Sequence, residues 1–103
     1  MEQEQWIKMA NCIFELEKKL QQKDNGPGTQ RLLDKMKALV LETGLLILNP
    51  LGETFSETRT DVEATITGAS KGAMKITDVL KPVIYATSAG RNVLVQKGVV
   101  LVS

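Results

Sequence analysis

The chain has 103 residues, a formal net charge of +1, no histidine, one cysteine and only four aromatic residues in a hundred. Charges that nearly cancel within each half leave no basic stripe for nucleic acid, and no apolar run approaches the ~20 residues that span a bilayer. Without histidine or clustered carboxylates, catalysis has almost nothing to work with. No catalytic residue, cofactor or metal site is therefore expected, and the chain reads as a binding module rather than an enzyme.

This length makes one domain or two very small ones, and buries only about two-thirds of the unfolded surface. A partner subunit is a natural way to complete such a core. The start, Met1-Glu2-Gln3-Glu4, is acidic where a secretory signal is basic, so a cytoplasmic location is expected, or a matrix one after processing. Cys12 has no second cysteine to pair with and no histidine to activate it, which makes it a passive helix residue.

Hydrophobic periodicity predicts a first helix from about Glu2 to Lys23. Trp6, Met9, Ile13, Leu16 and Leu20 fall on heptad a and d positions, and Ile7, Ala10 and Phe14 widen the stripe to about half the cylinder. Glu2 and Glu4 suit the positive end of the helix dipole, and Lys18, Lys19 and Lys23 the negative end. Asn25-Gly26-Pro27-Gly28 turns the chain, and Thr29 is the expected cap of a second helix that reaches about Thr43. Its stripe is Leu32, Leu33, Met36, Leu39 and Val40, and Gly44 stands where a terminating glycine belongs. The short connection implies an antiparallel hairpin over residues 1–44. Each helix carries more apolar surface than the other can cover. Two hairpins packed as a four-helix bundle would make a homodimer, with Trp6, Met9, Ile13, Leu16, Leu20, Leu33, Met36 and Val40 at the interface. The alternative is that this surface packs on the chain's own second half.

At Gly44 the period changes from helical to short β-branched runs, so an α+β fold is expected, with a small all-β domain over 45–103. The strands predicted are Leu45–Leu48, Val62–Thr67, Val79–Ala86, Asn92–Val95 and Val99–Val102. Asn49-Pro50-Leu51-Gly52 reads as a turn and Glu53–Asp61 as a polar surface loop. Pro82 places its run on an edge or at a bulge. Thr87-Ser88-Ala89-Gly90 reads as a turn, and Gly98 as a turn or bulge. A small sandwich or partly open barrel follows. Thr67-Gly68-Ala69-Ser70-Lys71-Gly72 superficially matches the glycine-rich turn of short-chain dehydrogenases. Met74 occupies the third glycine position, however, and too little chain follows for a nucleotide-binding sheet. A loop between strands accounts for it better.

Several of these features in this order resemble one family. Leu39-Val40-Leu41-Glu42-Thr43-Gly44 ends a helix, and Leu45–Leu48 leads into Asn49-Pro50-Leu51-Gly52-Glu53-Thr54-Phe55. Later, Asp78-Val79-Leu80 opens a strand toward Tyr85, followed by Gly90-Arg91 and a last β-branched strand. This is similar to GrpE, the nucleotide exchange factor of DnaK-type heat-shock chaperones, over nearly the whole chain. The family's long N-terminal paired helix has no counterpart in these residues. The histidine common after Pro-Leu-Gly is absent near Thr60 and Asp61, and the Gln-Lys-Gly-Tyr stretch reads Pro82-Val83-Ile84-Tyr85. The resemblance implies a homodimer whose β-domain presses on the ATPase domain of the chaperone and favours the open cleft, releasing ADP. It implies chaperone contacts at Gly90 and Arg91, with Lys81 and Tyr85 beside them. Two rival readings are a structural or adaptor homodimer without exchange activity, and a small nucleotide-binding enzyme built on Thr67–Gly72.

Overall fold

The computed structural model describes residues 2–21, 27–68 and 73–103. Two helices come first, α1 (Gln3–Gln21) and α2 (Pro27–Glu42). Seven strands follow: β1 (Leu45–Leu48), β2 (Thr54–Phe55), β3 (Val62–Ile66), β4 (Met74–Lys81), β5 (Val83–Ser88), β6 (Arg91–Gln96) and β7 (Gly98–Val102). The fold is α+β, helices before strands. Among the described residues, no helix is long and apolar enough to cross a membrane. Lys23, Asn25, Gly26 and Ala69–Gly72, which carried expectations about a helix end, a turn and a loop, lie outside the described residues.

The helix ends have local causes. Glu2 O accepts from the Gln5 and Trp6 amides, while Gln5 Oε1 accepts from Glu2 N at 3.1 Å, which is half of a capping box. Pro27 opens α2, where its missing N–H has no intrahelical bond to lose. Thr29 therefore lies inside the first turn and is not the cap. Gly44 ends α2 at φ +90°, its N–H bonded to Leu41 O at 3.0 Å. A Cβ at Gly44 would also meet Thr87 O at 3.2 Å, so both conformation and close approach call for glycine.

The strands form two sheets. One has three strands in the order β1-β5-β6, all antiparallel, and the other has four in the order β2-β4-β7-β3, with β3 parallel to β7. The run Val79–Ala86, expected as one strand, is two. Buried Pro82 separates β4 from β5, which belong to different sheets, so this proline turns a corner between layers, directly after the register shift between Val79 and Lys81 in β4. Gly98 is buried at the start of β7; a Cβ there would meet Val83 Cγ2 at 2.8 Å. Two pairings went unforeseen: Thr54–Phe55, inside the supposed polar loop, pairs with Lys75 and Met74 at the start of β4.

Alternation along β5 shows how the layers stack. Val83 and Tyr85 face a core shared with Val62, Ile76, Val79, Val100 and Val102 of the four-stranded sheet. Ile84 and Ala86 face a second core with Ala10, Ile13, Val40 and Leu45, so the three-stranded sheet lies between the helices and the other sheet. Phe14 belongs to the first core and Ile13 to the second, because α1 continues past the sheet toward β4. Polar contacts hold that course. Asn11 and Gln96 exchange amide hydrogen bonds at 2.8 and 2.9 Å, and Gln96 Nε2 also donates to Pro82 O at 2.9 Å. Farther along, Lys18 Nζ reaches Asp78 at 2.8 Å and Val79 O at 2.9 Å.

Candidate functional site

The β5–β6 hairpin carries the expected contact residues. Ser88 pairs with Arg91, leaving a two-residue loop with Ala89 at φ 50° and Gly90 at φ 78°. Two successive left-handed residues make a type I′ turn, whose twist matches the flanking strands. Gly90 serves by conformation alone, since a Cβ there would meet nothing within 4 Å. Arg91 is thus the first residue of β6 and lies beyond the turn. Arg91 and Val93 pair with Ser88 and Ala86, so both lie on the helix-facing side of the sheet, and both are exposed. The Arg91 side chain has no hydrogen bond or ion pair among the described residues.

Arg59 makes a useful contrast. It holds Asp61 with two bonds, at 3.0 and 2.8 Å, and reaches Glu53 Oε1 at 3.2 Å and Thr54 O at 3.3 Å. That bidentate hydrogen bonding holds the Asp61 carboxyl below its usual value and raises the guanidinium. Arg59 is engaged in closing the β2–β3 loop, whereas Arg91 keeps its donors available.

The other two expected contacts do not join Arg91. Lys81 is exposed at the end of β4, and Pro82 and all six residues of β5 intervene before the turn. At about 3.3 Å per strand residue this places Lys81 and Arg91 roughly 20 Å apart. Tyr85 is half-buried on the β5 face that packs toward the four-stranded sheet, so its ring serves the core. The candidate surface contracts to the hairpin tip with Arg91 and Gly90. Val93, which sequence reasoning passed over, joins it, because only the Ala86 register shows that it shares a face with Arg91.

The helical hairpin supplies a second surface. Of the residues expected at a dimer interface, Ile13, Leu33 and Val40 are buried within the single chain. Trp6, Leu20 and Met36 are half-buried, and Met9 and Leu16 are exposed. Leu32 and Leu39, on the α2 stripe but not assigned to the interface, are 63% and 58% exposed. Trp6, Met9, Met36 and Leu39 border an open groove of ≈ 420 Å³ between the helices. Cys12 is exposed nearby, beside Lys8 and Met9.

No group of three or more His, Cys, Asp or Glu side chains is placed to hold a metal ion among the described residues. Compared with protein-family models, curated proteins and solved structures, the chain matches none of them.

Proposed function

We infer that the chain is a GrpE-like nucleotide exchange factor that works as a homodimer on a cytoplasmic DnaK-type chaperone. The observation that carries this reading is Arg91, an unpaired guanidinium beside a two-residue hairpin turn at the sheet rim. An exposed guanidinium offers a carboxylate two parallel donors in a planar fork, and the long side chain is ordered at the moment of binding. Exposed Val93 beside it adds an apolar contact to the charged one. Exchange needs no chemistry from this chain. The hairpin tip has only to bind the open-cleft conformer of the ATPase domain better than the closed one, and ADP then leaves faster. The outer face of the helical hairpin seats the second copy, giving a four-helix bundle of Met9, Leu16, Leu32, Met36 and Leu39 from each subunit.

The test is release of a fluorescent ADP analogue from a DnaK-type chaperone at fixed ionic strength. Parent protein should accelerate release. Arg91→Ala should weaken binding by about 1–3 kcal/mol with its thermal midpoint nearly unchanged, and Arg91→Lys should recover only part of the loss. Binding without faster release would favour the adaptor reading. Equal affinity of all three proteins would remove Arg91 from the contact.

A further inference from the structure

β6 is an outer strand of the three-stranded sheet and starts at the Ala89-Gly90 turn. Thr87 N donates to Gly44 O at 2.7 Å, so the Thr87 backbone points toward β1, and that of Ser88 and Ala86 toward β6. Ser88–Arg91 and Ala86–Val93 are then the bonded pairs of the hairpin. The N–H and C=O of Asn92 and Leu94 consequently point to the open edge. Asn92 is exposed and Leu94 half-exposed, and no backbone bond from another described residue meets them on that side. The Asn92 side chain turns back to β5, its Oδ1 accepting from Thr87 Oγ1 at 3.1 Å, and leaves the edge clear.

Charge decides what this edge accepts. Residues 81–103 hold Lys81, Arg91 and Lys97 and no Asp or Glu, and the three-stranded sheet contains no acidic side chain at all. Arg91 opens β6 and Lys97 follows its last residue, and neither is ion-paired among the described residues. In the other sheet's half, Asp61 is already held by Arg59 and Asp78 by Lys18, each at 2.8 Å. Native sheets usually blunt an open edge with charge, proline or a bulge. Asn92–Leu94 has neither charge nor proline, and the register shift of this hairpin comes only beyond Leu94. Cations at the two ends of such a strand repel a basic segment and attract an acidic one.

We propose that β6 receives an extended, acidic segment of the partner protein as an added antiparallel strand, its backbone pairing with Asn92 and Leu94, an apolar side chain on Val93 and a carboxylate on Arg91. This rests on the reading of the hairpin tip as a docking site and specifies what docks there; it does not require that ADP release follow. Arg91 and Val93 share a face, and Val93 is 54% exposed. In an antiparallel strand the residue facing Arg91 comes two places after the one facing Val93, so the segment reads apolar, any residue, acid. Asn92 and Leu94 each offer one backbone donor and one acceptor, which makes the contact weak and readily reversible.

The probe is a fluorescein-labelled peptide, Gly-Thr-Thr-Val-Thr-Glu-Gly, titrated with the full chain by fluorescence anisotropy and by amide-resolved NMR. Binding should shift the amides of β6 and slow hydrogen exchange at Asn92 and Leu94. Because this readout is by residue, it is the same for a monomer and for a dimer joined through its helices. N-methylation of the threonine after valine removes the donor that faces Asn92 and should weaken binding about tenfold. N-methylation of the valine, whose N–H faces away from β6, should cost little. Replacing Glu by Gln in the peptide should cost several-fold against the parent and nothing against Arg91→Gln. No binding at millimolar peptide would overturn the proposal, as would an equal response to the two N-methylations. So would protection of Asn92 and Leu94 that rises with protein concentration in the absence of peptide, which would assign the edge to a second copy. ADP release separates this proposal from the exchange reading. Peptide uptake without accelerated release would refute exchange alone, whereas Arg91-dependent release without peptide uptake would refute the added strand alone.

Discussion

The inner and outer faces of the helical hairpin carry similar residues and meet opposite fates. On the inner face Ala10, Ile13 and Val40 are closed over by Leu45, Ile84 and Ala86 of the sheet, at 2% exposure for Ile13. On the outer face Met9 and Leu16 remain about two-fifths exposed, and Leu32 and Leu39 more than half. The same leucine contributes about 1.5–3 kcal/mol on burial and nothing when left in water. A helix stripe that is wider than one neighbour can cover therefore does two jobs. Its middle holds the chain's own layers together, and its margin is available to something else.

The comparison breaks most visibly at Ile13. Ile13→Asp buries an unpaired carboxylate between helices and sheet, and should destabilise the single chain by several kcal/mol. Chemical denaturation should show loss of the folded baseline and not merely a change in mass. An Ile13→Asp protein that stays folded as a monomer would mean that the hairpin lifts off the sheet easily.

A smaller effect is expected where the inner face is tied by polar contacts. Asn11→Ala removes both amide bonds to Gln96, leaving Gln96 only its bond to Pro82 O. About 1–2 kcal/mol should be lost, and hydrogen exchange should rise first in α1. Equal protection in the variant would show that apolar packing alone sets the angle of α1.

Smaller again is the Lys18–Asp78 tie. The Lys18 hydrogen bond holds the Asp78 carboxyl below its usual value of 3.8. A depressed folded-state value stabilises the protein above the unfolded value, and that contribution is lost as pH falls through the folded one. Asp61, held down by Arg59, acts in the same direction. Stability should therefore be insensitive to these groups above about pH 5 and decline below about 3.8. Lys18→Met should flatten the Asp78 share of that decline, a modest one because both side chains are more than a third exposed. Urea midpoints measured from pH 5 down to 2.5 would show it.

The helices were legible because a 3.6 period needs only local residues, and Gly44 announced the change of period. Which face of the stripe would be covered was not, because Ile13 and Met9 differ only in where the sheet lies. Pro82 was seen as an interruption, yet its role as a corner depends on β4 and β5 choosing different partners. β2 has two residues in a polar stretch, and nothing in Thr54–Phe55 singles them out until Met74 and Lys75 pair with them. The hairpin tip was the best-read part of the candidate site, since Ala89-Gly90 is a local turn signal. The direction of Tyr85 was not legible, because alternation shows that residues share a face without saying which face is inward. Asn11–Gln96 and Lys18–Asp78 join positions far apart in the chain and leave no local mark.

Sedimentation equilibrium on the parent and Leu39→Glu tests most directly the claim that one face is structural and the other is for docking. The parent should be a dimer at micromolar concentration. Leu39→Glu should be a monomer whose own fold loses no more than about 0.5 kcal/mol, because the side chain it replaces faces water in the single chain. A parent that stays monomeric at high micromolar concentration, or a Leu39→Glu protein that still dimerises, would contradict it.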